Sequence, residues 1–160
     1  MKKIRVGLVG GGAMARMHMY AYRRVYGLDI EVGAVVSRGD HVLEFAKQHR
    51  IPAIYRDYRD LLANRDIDVV DVCTPPALHA IQKEIIVKCH QAGKHVICEK
   101  PLGGYFGRAG DAVPIGHKVS KGLMYEQVMT QMQQARLAME TTGQLFLYAE
   151  DWVYAPAVSK

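Results

Sequence analysis

The sequence predicts one doubly wound α/β domain with a mostly parallel six-stranded sheet and helices on both faces. Short apolar segments alternate with segments of helical periodicity along nearly the whole chain. Several apolar segments are continuous rather than alternating, which is typical of strands buried on both faces of a parallel sheet. The length of 160 residues also suits a single domain with one sheet.

The composition predicts a cytoplasmic globular protein. Hydrophobic residues make up 49% of the chain, yet no apolar run approaches a membrane span, and the start lacks the pattern of a signal peptide. The net charge of +5 is spread along the chain, so we expect no nucleic-acid partner and no membrane partner. Cysteines and histidines lack metal-type spacing, so we expect no metal and treat Cys73, Cys89 and Cys98 as buried apolar residues.

The first strand and helix carry a nucleotide-binding pattern. A β-branched strand, Ile4 to Val9, runs into three glycines, and a helix is predicted from about Ala13 to Tyr26. The pattern Gly10-x-Gly12-x-x-Ala15 is the dinucleotide fingerprint: a tight turn, close backbone approach to the pyrophosphate, and close helix packing. A plain flexible turn is the alternative, but the flanking strand and helix favour binding. The predicted phosphate-binding residues are Gly10, Gly12, Ala13, Met14 and Ala15.

The second strand, Ile30 to Val36, ends where the adenine ribose of a dinucleotide lies in this Rossmann arrangement. An acidic residue is expected there for NAD, but the sequence continues with Ser37 and Arg38, which suit a 2′-phosphate. We therefore expect NADP in preference to NAD. The alternative is that both residues begin a solvated loop and that Asp40 caps the next helix.

The remaining elements keep the alternation. Predicted in order are a helix at Val42 to Gln48, a strand at Ala53 to Tyr55, a helix at Tyr58 to Leu62, a continuously apolar strand at Val69 to Cys73, a helix at about Ala77 to Ala92, a strand at His95 to Cys98, an amphipathic helix at Leu123 to Thr142 and a strand at Leu145 to Ala149. Thr74-Pro75-Pro76 and Glu99-Lys100-Pro101 follow two strands. In a parallel sheet, ligands bind at this carboxyl edge.

Three segments together resemble the Gfo/Idh/MocA family of NAD(P)-dependent oxidoreductases. They are Gly10-Gly11-Gly12-Ala13-Met14-Ala15-Arg16, Cys73-Thr74-Pro75-Pro76-Ala77-Leu78-His79 and Ala92-Gly93-Lys94-His95-Val96-Ile97-Cys98-Glu99-Lys100-Pro101. The resemblance implies hydride transfer between a nicotinamide and a hydroxyl or keto carbon of a sugar, inositol or related polyol.

The resemblance also assigns roles to individual residues. Lys100 matches the family's proton-relay lysine, and an ammonium there would stabilise a developing alkoxide. Glu99 either orients Lys100 or binds the nicotinamide ribose. Thr74, Pro75 and His79 match the loop that lines the cofactor trough, although His79 is equally compatible with packing at the start of its helix.

The last third of the chain departs from the family pattern. Residues 102–122 are rich in glycine and show no regular period, so we expect a long loop that either covers the site or serves subunit contact. Trp152 and Tyr154 are candidates for substrate contact or for an interdomain junction.

The resemblance further implies a second, substrate-binding domain, for which residues 1–160 leave no room. We therefore expect a truncated chain that binds dinucleotide and turns over slowly or not at all. A non-catalytic dinucleotide-binding or redox-sensing module is the alternative, and homo-oligomerisation stays open.

Overall fold

The computed structural model describes residues 3–75 and 79–150, and its centre is a six-stranded sheet. The strands are β1 (Lys3–Val9), β2 (Asp29–Val36), β3 (Ala53–Tyr55), β4 (Val69–Val72), β5 (His95–Glu99) and β6 (Phe146–Ala149). All five pairings are parallel, in the order β3-β2-β1-β4-β5-β6. The predicted sheet is confirmed, and it is wholly rather than mostly parallel.

Helices follow the strands in alternation. They are α1 (Ala13–Tyr22), α2 (His41–His49), α3 (Tyr58–Ala63), α4 (His79–Gln91), α5 (Ile115–Lys118) and α6 (Lys121–Thr142). Within residues 3–75 and 79–150, no helix is both long and apolar enough to cross a bilayer.

Each face of the sheet has its own core. On one face, α1 and α2 bury Ala15, Met19, Val42 and Phe45 against strand residues such as Leu8. On the other face, Leu61 of α3, Ile85 and Ile86 of α4 and Ala135 of α6 pack against Val70 and Val96. The strands are covered on both sides, which explains why they are so continuously apolar. The three cysteines are buried in these cores, as expected.

The helix α1 is shorter than predicted, because it ends at Tyr22 rather than Tyr26. The amides of Arg24 and Val25 turn back to the carbonyls of Ala21 and Tyr22, which tightens the chain into turns. Val25 and Tyr26 are exposed, so their apolar character is not a continuation of the buried helix face. The other predicted elements agree with the structure to within two residues at each end.

The segment 102–122 is more ordered than the predicted irregular loop. It contains the four-residue helix α5, and α6 begins at Lys121, within the predicted loop. The Tyr105 hydroxyl and the Arg108 amide both donate to the Asp111 carboxylate. Gly103 lies against α6, where an added Cβ would be 3.2 Å from Val128. A four-residue helix is too short to show periodicity in the sequence, which is why the prediction missed it.

Candidate functional site

The parallel register brings the predicted site residues to one edge of the sheet. Val9 of β1 is paired with Val36 of β2 and with Val72 of β4, and Glu99 of β5 is paired with Ala149 of β6. The strand order reverses between β1 and β4, and this is the point where open α/β sheets bind ligands. The glycine turn, Thr74 and Lys100 all follow strands at this edge.

Gly10 allows the end of β1 to lie directly against the end of β4. Its φ is +107°, and an added Cβ would lie 2.9 Å from the carbonyl oxygen of Cys73. Its amide donates to the Val36 carbonyl at 2.8 Å. A side chain at this position would be strained and would also collide with backbone. The predicted requirement for glycine at this turn is therefore confirmed.

Gly12 leaves the space in front of α1 open. It is the N-cap of the helix, makes no side-chain cap, and would have no heavy atom within 4 Å of an added Cβ. Ala15 is fully buried and lets the helix approach the sheet. An anion can therefore reach the amides of the first turn, which include those of Ala13 and Met14.

The loop after β2 is held by a residue that the sequence analysis did not identify. Arg56 donates through Nη1 to the carbonyls of Ser37, Arg38 and Gly39 at 3.1, 3.1 and 3.2 Å. Its Nη2 contacts the Asp40 carboxylate at 3.0 Å. The register of β2 and β3 pairs Val36 with Tyr55, so the two following residues emerge side by side. That pairing is the signal that could have identified Arg56.

Asp40 does not have the capping role that the alternative prediction gave it. It occupies the N-cap position of α2 but makes no side-chain cap hydrogen bond, because its carboxylate pairs with Arg56. Ser37 is half-buried, and its hydroxyl lies 3.5 Å from Nε2 of His41. Arg38 is exposed beside it. The rim of this loop therefore carries Arg38 and Arg56, with the Asp40 carboxylate paired to Arg56 and the Asp57 carboxylate in electrostatic contact with Arg38.

The loop after β4 is described only in part. The Thr74 hydroxyl is buried without a hydrogen-bond partner in the protein, and Pro75 is exposed. An unpartnered buried hydroxyl at the binding edge suits a ligand contact. Residues 76–78 and the side chain of His79 lie outside the described part of the chain, as do Trp152 and Tyr154.

Glu99 and Lys100 lie together where β5 ends. Glu99 turns its carboxylate inward, and Oε2 accepts the backbone N–H of Lys100 at 3.0 Å. Lys100 borders a cavity of about 350 Å³ between α1 and the end of β6, which Met14, Met17 and Tyr148 also line. Helix α1, which follows the predicted phosphate-binding turn, and the predicted catalytic lysine therefore border one cavity.

A buried polar cluster lies beneath this cavity, and the sequence analysis missed it. The strand predicted as continuously apolar contains Asp71, which is fully buried. His18 Nδ1 lies 2.7 Å from Asp71 Oδ2, and its Nε2 lies 3.0 Å from Glu99 Oε1. The Tyr22 hydroxyl donates to Asp71 at 2.6 Å. A lone acid in an apolar strand, and a histidine on the buried face of α1, were the available signals.

The environment of this cluster sets its protonation. The hydrogen bond to Asp71 is the main reason that the pKa of His18 rises from its ordinary value near 6.5 to about 9. Burial raises the pKa of Tyr22 and that of the Cys73 thiol. At neutral pH, His18 is therefore a cation between two carboxylates.

The sequence spacing predicted no metal site, but the fold brings three ligand types together. Donor atoms of His18, Asp71 and Cys73 lie within 4.8 Å of one another. The contact between His18 and Asp71 has the length of a charge-assisted hydrogen bond. The three side chains are joined by hydrogen bonds.

Comparison with known proteins gives one family. Residues 4–125 match the model of the GFO/IDH/MocA oxidoreductase family, NAD-binding Rossmann fold. The chain is 37% identical over 109 residues to levoglucosan dehydrogenase of Pseudarthrobacter phenanthrenivorans, covering 64% of this chain and 27% of that protein. It is 29% identical over 119 residues to trans-1,2-dihydrobenzene-1,2-diol dehydrogenase of Xenopus tropicalis, covering 74% and 35%.

A solved structure gives the same result. Levoglucosan dehydrogenase in complex with NADH and levoglucosan superimposes with a TM-score of 0.73 at 26% identity, covering 98% of this chain and 37% of that one. This chain therefore spans about a third of the length of the relatives it matches.

Proposed function

This chain belongs to the Gfo/Idh/MocA oxidoreductase family, and we propose that it is the NADP-binding part of an enzyme acting on polyols. The reaction is hydride transfer between the nicotinamide and a hydroxyl-bearing carbon of a sugar, inositol or related cyclic polyol. Binding of a nicotinamide dinucleotide has the support of the family model and of a relative that was solved with NADH. The preference for NADP and the substrate class are our own extensions.

The basic rim of the loop after β2 is the observation that carries the NADP preference. An acid that accepts both ribose hydroxyls would repel a 2′-phosphate. Here the position after β2 holds Ser37, and the nearby Asp40 carboxylate is neutralised by Arg56. With the Asp40 charge balanced by Arg56, Arg38 supplies the net positive charge beside the Ser37 hydroxyl, which suits a phosphate better than a diol.

The substrate class rests on Lys100 and on the relatives. The dinucleotide, when bound, supplies the hydride acceptor or donor. Lys100 borders the cavity beside α1, and its ammonium would stabilise the oxygen that loses or gains a proton. The names of the two relatives specify levoglucosan and a dihydrobenzene diol, which are both ring compounds with hydroxyl groups.

Calorimetric titration of the 160-residue chain with NADPH and NADH, at low and moderate salt, tests the proposal. We expect tighter binding of NADPH, with an advantage that shrinks as salt rises because the discriminating contact is ionic. Equal affinities, or tighter binding of NADH, would refute the NADP preference. Binding of neither cofactor would remove the dinucleotide assignment for this chain.

A substitution at Lys100 tests the catalytic part. In a full-length relative, the substitution that matches Lys100→Met should leave cofactor affinity within about twofold and lower hydride transfer to or from a polyol panel by at least about 100-fold. Absorbance of the reduced nicotinamide follows the reaction. If the substitution leaves turnover of the full-length relative unchanged while cofactor still binds, the catalytic assignment of Lys100 is wrong and the non-catalytic module becomes the better description.

A further inference from the structure

His18 joins two buried carboxylates that come from different strands. Its Nδ1 lies 2.7 Å from an oxygen of Asp71 in β4, and its Nε2 lies 3.0 Å from an oxygen of Glu99 at the end of β5. The side chains of Asp71 and Glu99 are 0% and 7% exposed, and that of His18 is 15% exposed. A ring with a carboxylate oxygen at each nitrogen is satisfied only when both nitrogens carry protons. His18 is therefore held as an imidazolium.

The Asp71 end of this bridge is fixed by further donors. Tyr22, one turn along α1 from His18, donates its hydroxyl to the same Asp71 oxygen at 2.6 Å. The thiol of Cys73 donates to the other Asp71 oxygen at 3.4 Å. Asp71 therefore has a donor at each oxygen and serves as a rigid anchor for the His18 ring.

The Glu99 end leads to Lys100. One Glu99 oxygen faces His18, and the other accepts the Lys100 amide at 3.0 Å. The Glu99 backbone carbonyl accepts a hydrogen bond from the buried Gln82. A continuous series of hydrogen bonds thus runs from α1, which also presents the dinucleotide turn, to the backbone of Lys100.

We propose that His18 is a positioning residue for Lys100: its imidazolium holds the Glu99 carboxylate in the orientation that fixes the Lys100 backbone at the nicotinamide end of the site. The consequence of that placement for catalysis rests on the proposed function. The link itself, which is the series of hydrogen bonds from His18 through Glu99 to the Lys100 amide, does not. If the ring were neutral, only one of its nitrogens would carry a proton, so His18 could no longer donate to Asp71 and Glu99 at the same time. Several titratable or charged groups lie around His18 or line the same cavity. They are Tyr22 on α1, Asp71 and Cys73 at β4, Glu99 and Lys100 at β5, and Glu150 after β6.

Nuclear magnetic resonance of the ¹⁵N-labelled chain tests the link directly. In the unaltered protein, the His18 ring and the Lys100 amide should titrate together with a midpoint near 9. In His18→Gln, the Lys100 amide should move from its native position and lose that titration. His117→Gln, on the exposed helix α5, is the matched control and should leave the Lys100 amide unchanged.

Two results would overturn the link. One is a Lys100 amide that stays constant while the His18 ring titrates. The other is a Lys100 amide in folded His18→Gln that matches the unaltered protein across the same pH range. If His18→Gln does not fold, the pH titration of the unaltered chain still decides, because it removes the same proton without a substitution.

Ligand binding tests the functional consequence. NADPH and 2′-phospho-ADP-ribose differ in the nicotinamide, so a defect at the Lys100 end should affect only the first. We expect His18→Gln to weaken NADPH about fivefold and to leave 2′-phospho-ADP-ribose within about twofold. Equal weakening of both ligands, or of neither, would refute the positioning role. If the unaltered chain binds neither ligand, the proposed function fails while the resonance titration still decides the link.

Discussion

Among single residues, Arg56 shows how the loop after β2 depends on a side chain that follows the neighbouring strand β3. Its guanidinium satisfies three backbone carbonyls of residues 37–39 and pairs with Asp40. The same group therefore shapes the loop and contributes charge to it. Both effects favour a 2′-phosphate, because the loop stays closed and its acid stays neutralised.

Substitution of Arg56 should change cofactor discrimination more than overall affinity. Arg56→Ala removes a positive charge and frees Asp40, so NADPH affinity should fall about tenfold and NADH affinity about twofold. Arg56→Lys keeps the positive charge but lacks the several fixed N–H donors of the guanidinium, so its two affinities should lie between those of the unaltered chain and those of Arg56→Ala. Calorimetric titration measures both ratios, with Arg59→Ala, an exposed arginine paired with Asp57 and Glu84, as the control. An unchanged NADPH-to-NADH ratio in Arg56→Ala would contradict this role.

Gly10 and Gly12 lie in one turn, but we expect substitution of Gly10 to affect mainly stability and substitution of Gly12 to affect mainly cofactor binding. Gly12→Ala adds a methyl group to open space at the N-cap of α1, where alanine is less favourable than glycine, so stability should fall by no more than about 1 kcal/mol. That methyl group occupies the approach to the first-turn amides, so NADPH affinity should fall at least about tenfold. Gly10→Ala meets the Cys73 carbonyl in a left-handed conformation and should cost roughly 1–3 kcal/mol.

Thermal unfolding and titration of both variants give the comparison. If Gly12→Ala binds NADPH as the unaltered chain does, the phosphates do not lie at this turn. If Gly10→Ala is as stable as the unaltered chain, the contact between β1 and β4 is looser than described.

Among helices and strands, two helix ends share one backbone conformation but use different residues. Arg50 is the C-cap of α2 and has a φ of 57°, and Gly143 is the C-cap of α6 and has a φ of 68°. A side chain is strained in this left-handed region, whereas glycine is not. Arg50→Gly should therefore stabilise the protein by about 1 kcal/mol, and Gly143→Ala should destabilise it by a similar amount. Urea unfolding midpoints check both signs, and a shift of both variants in the same direction would contradict the explanation.

The strength of local pattern decided which elements the sequence could predict. The strand β2 and the helix α2 have clear hydrophobic patterns, and their bounds agree with prediction to within one residue. The end of α1 depends on turns that close after Tyr22, and α5 is only one turn long, so neither has a period to detect. The strand order was not predicted from the sequence, because it depends on which strands pair across the sheet rather than on a local pattern.

The residues that the sequence analysis missed depend on contacts between elements. Arg56 reaches the loop after β2 only because β3 pairs with β2 in one register. His18 meets Asp71 and Glu99 across 53 and 81 positions in the chain. Local spacing cannot encode such contacts, whereas Gly10, Gly12 and Ala15 lie within one turn and were predicted together.

For the whole molecule, the buried His18 cluster makes stability depend on pH. The pKa of His18 is raised to about 9 in the folded state, so its contribution is complete below its unfolded pKa near 6.5 and is lost as the pH rises through 9. The lowered pKa values of His49 and His90 act below about pH 6.5 and in the opposite direction. Burial raises the pKa of Cys73, and it raises the pKa of Cys89 and of Cys98 to about 12, so these thiols destabilise the fold as the pH rises through about 8.5, where the unfolded chain ionises.

The window between about pH 7 and pH 7.5 therefore isolates His18, because the thiols of the unfolded chain are still mostly protonated there. The free energy of unfolding should fall there by up to about 1.4 kcal/mol per pH unit, the limit for one proton. In His18→Gln the same measurement, by urea unfolding at fixed ionic strength, should give a flat profile from a lower starting stability. His117→Gln should keep the native slope, because its side chain is exposed. A native slope that persists in His18→Gln would mean that another group loses the proton and that the imidazolium does not hold the two carboxylates.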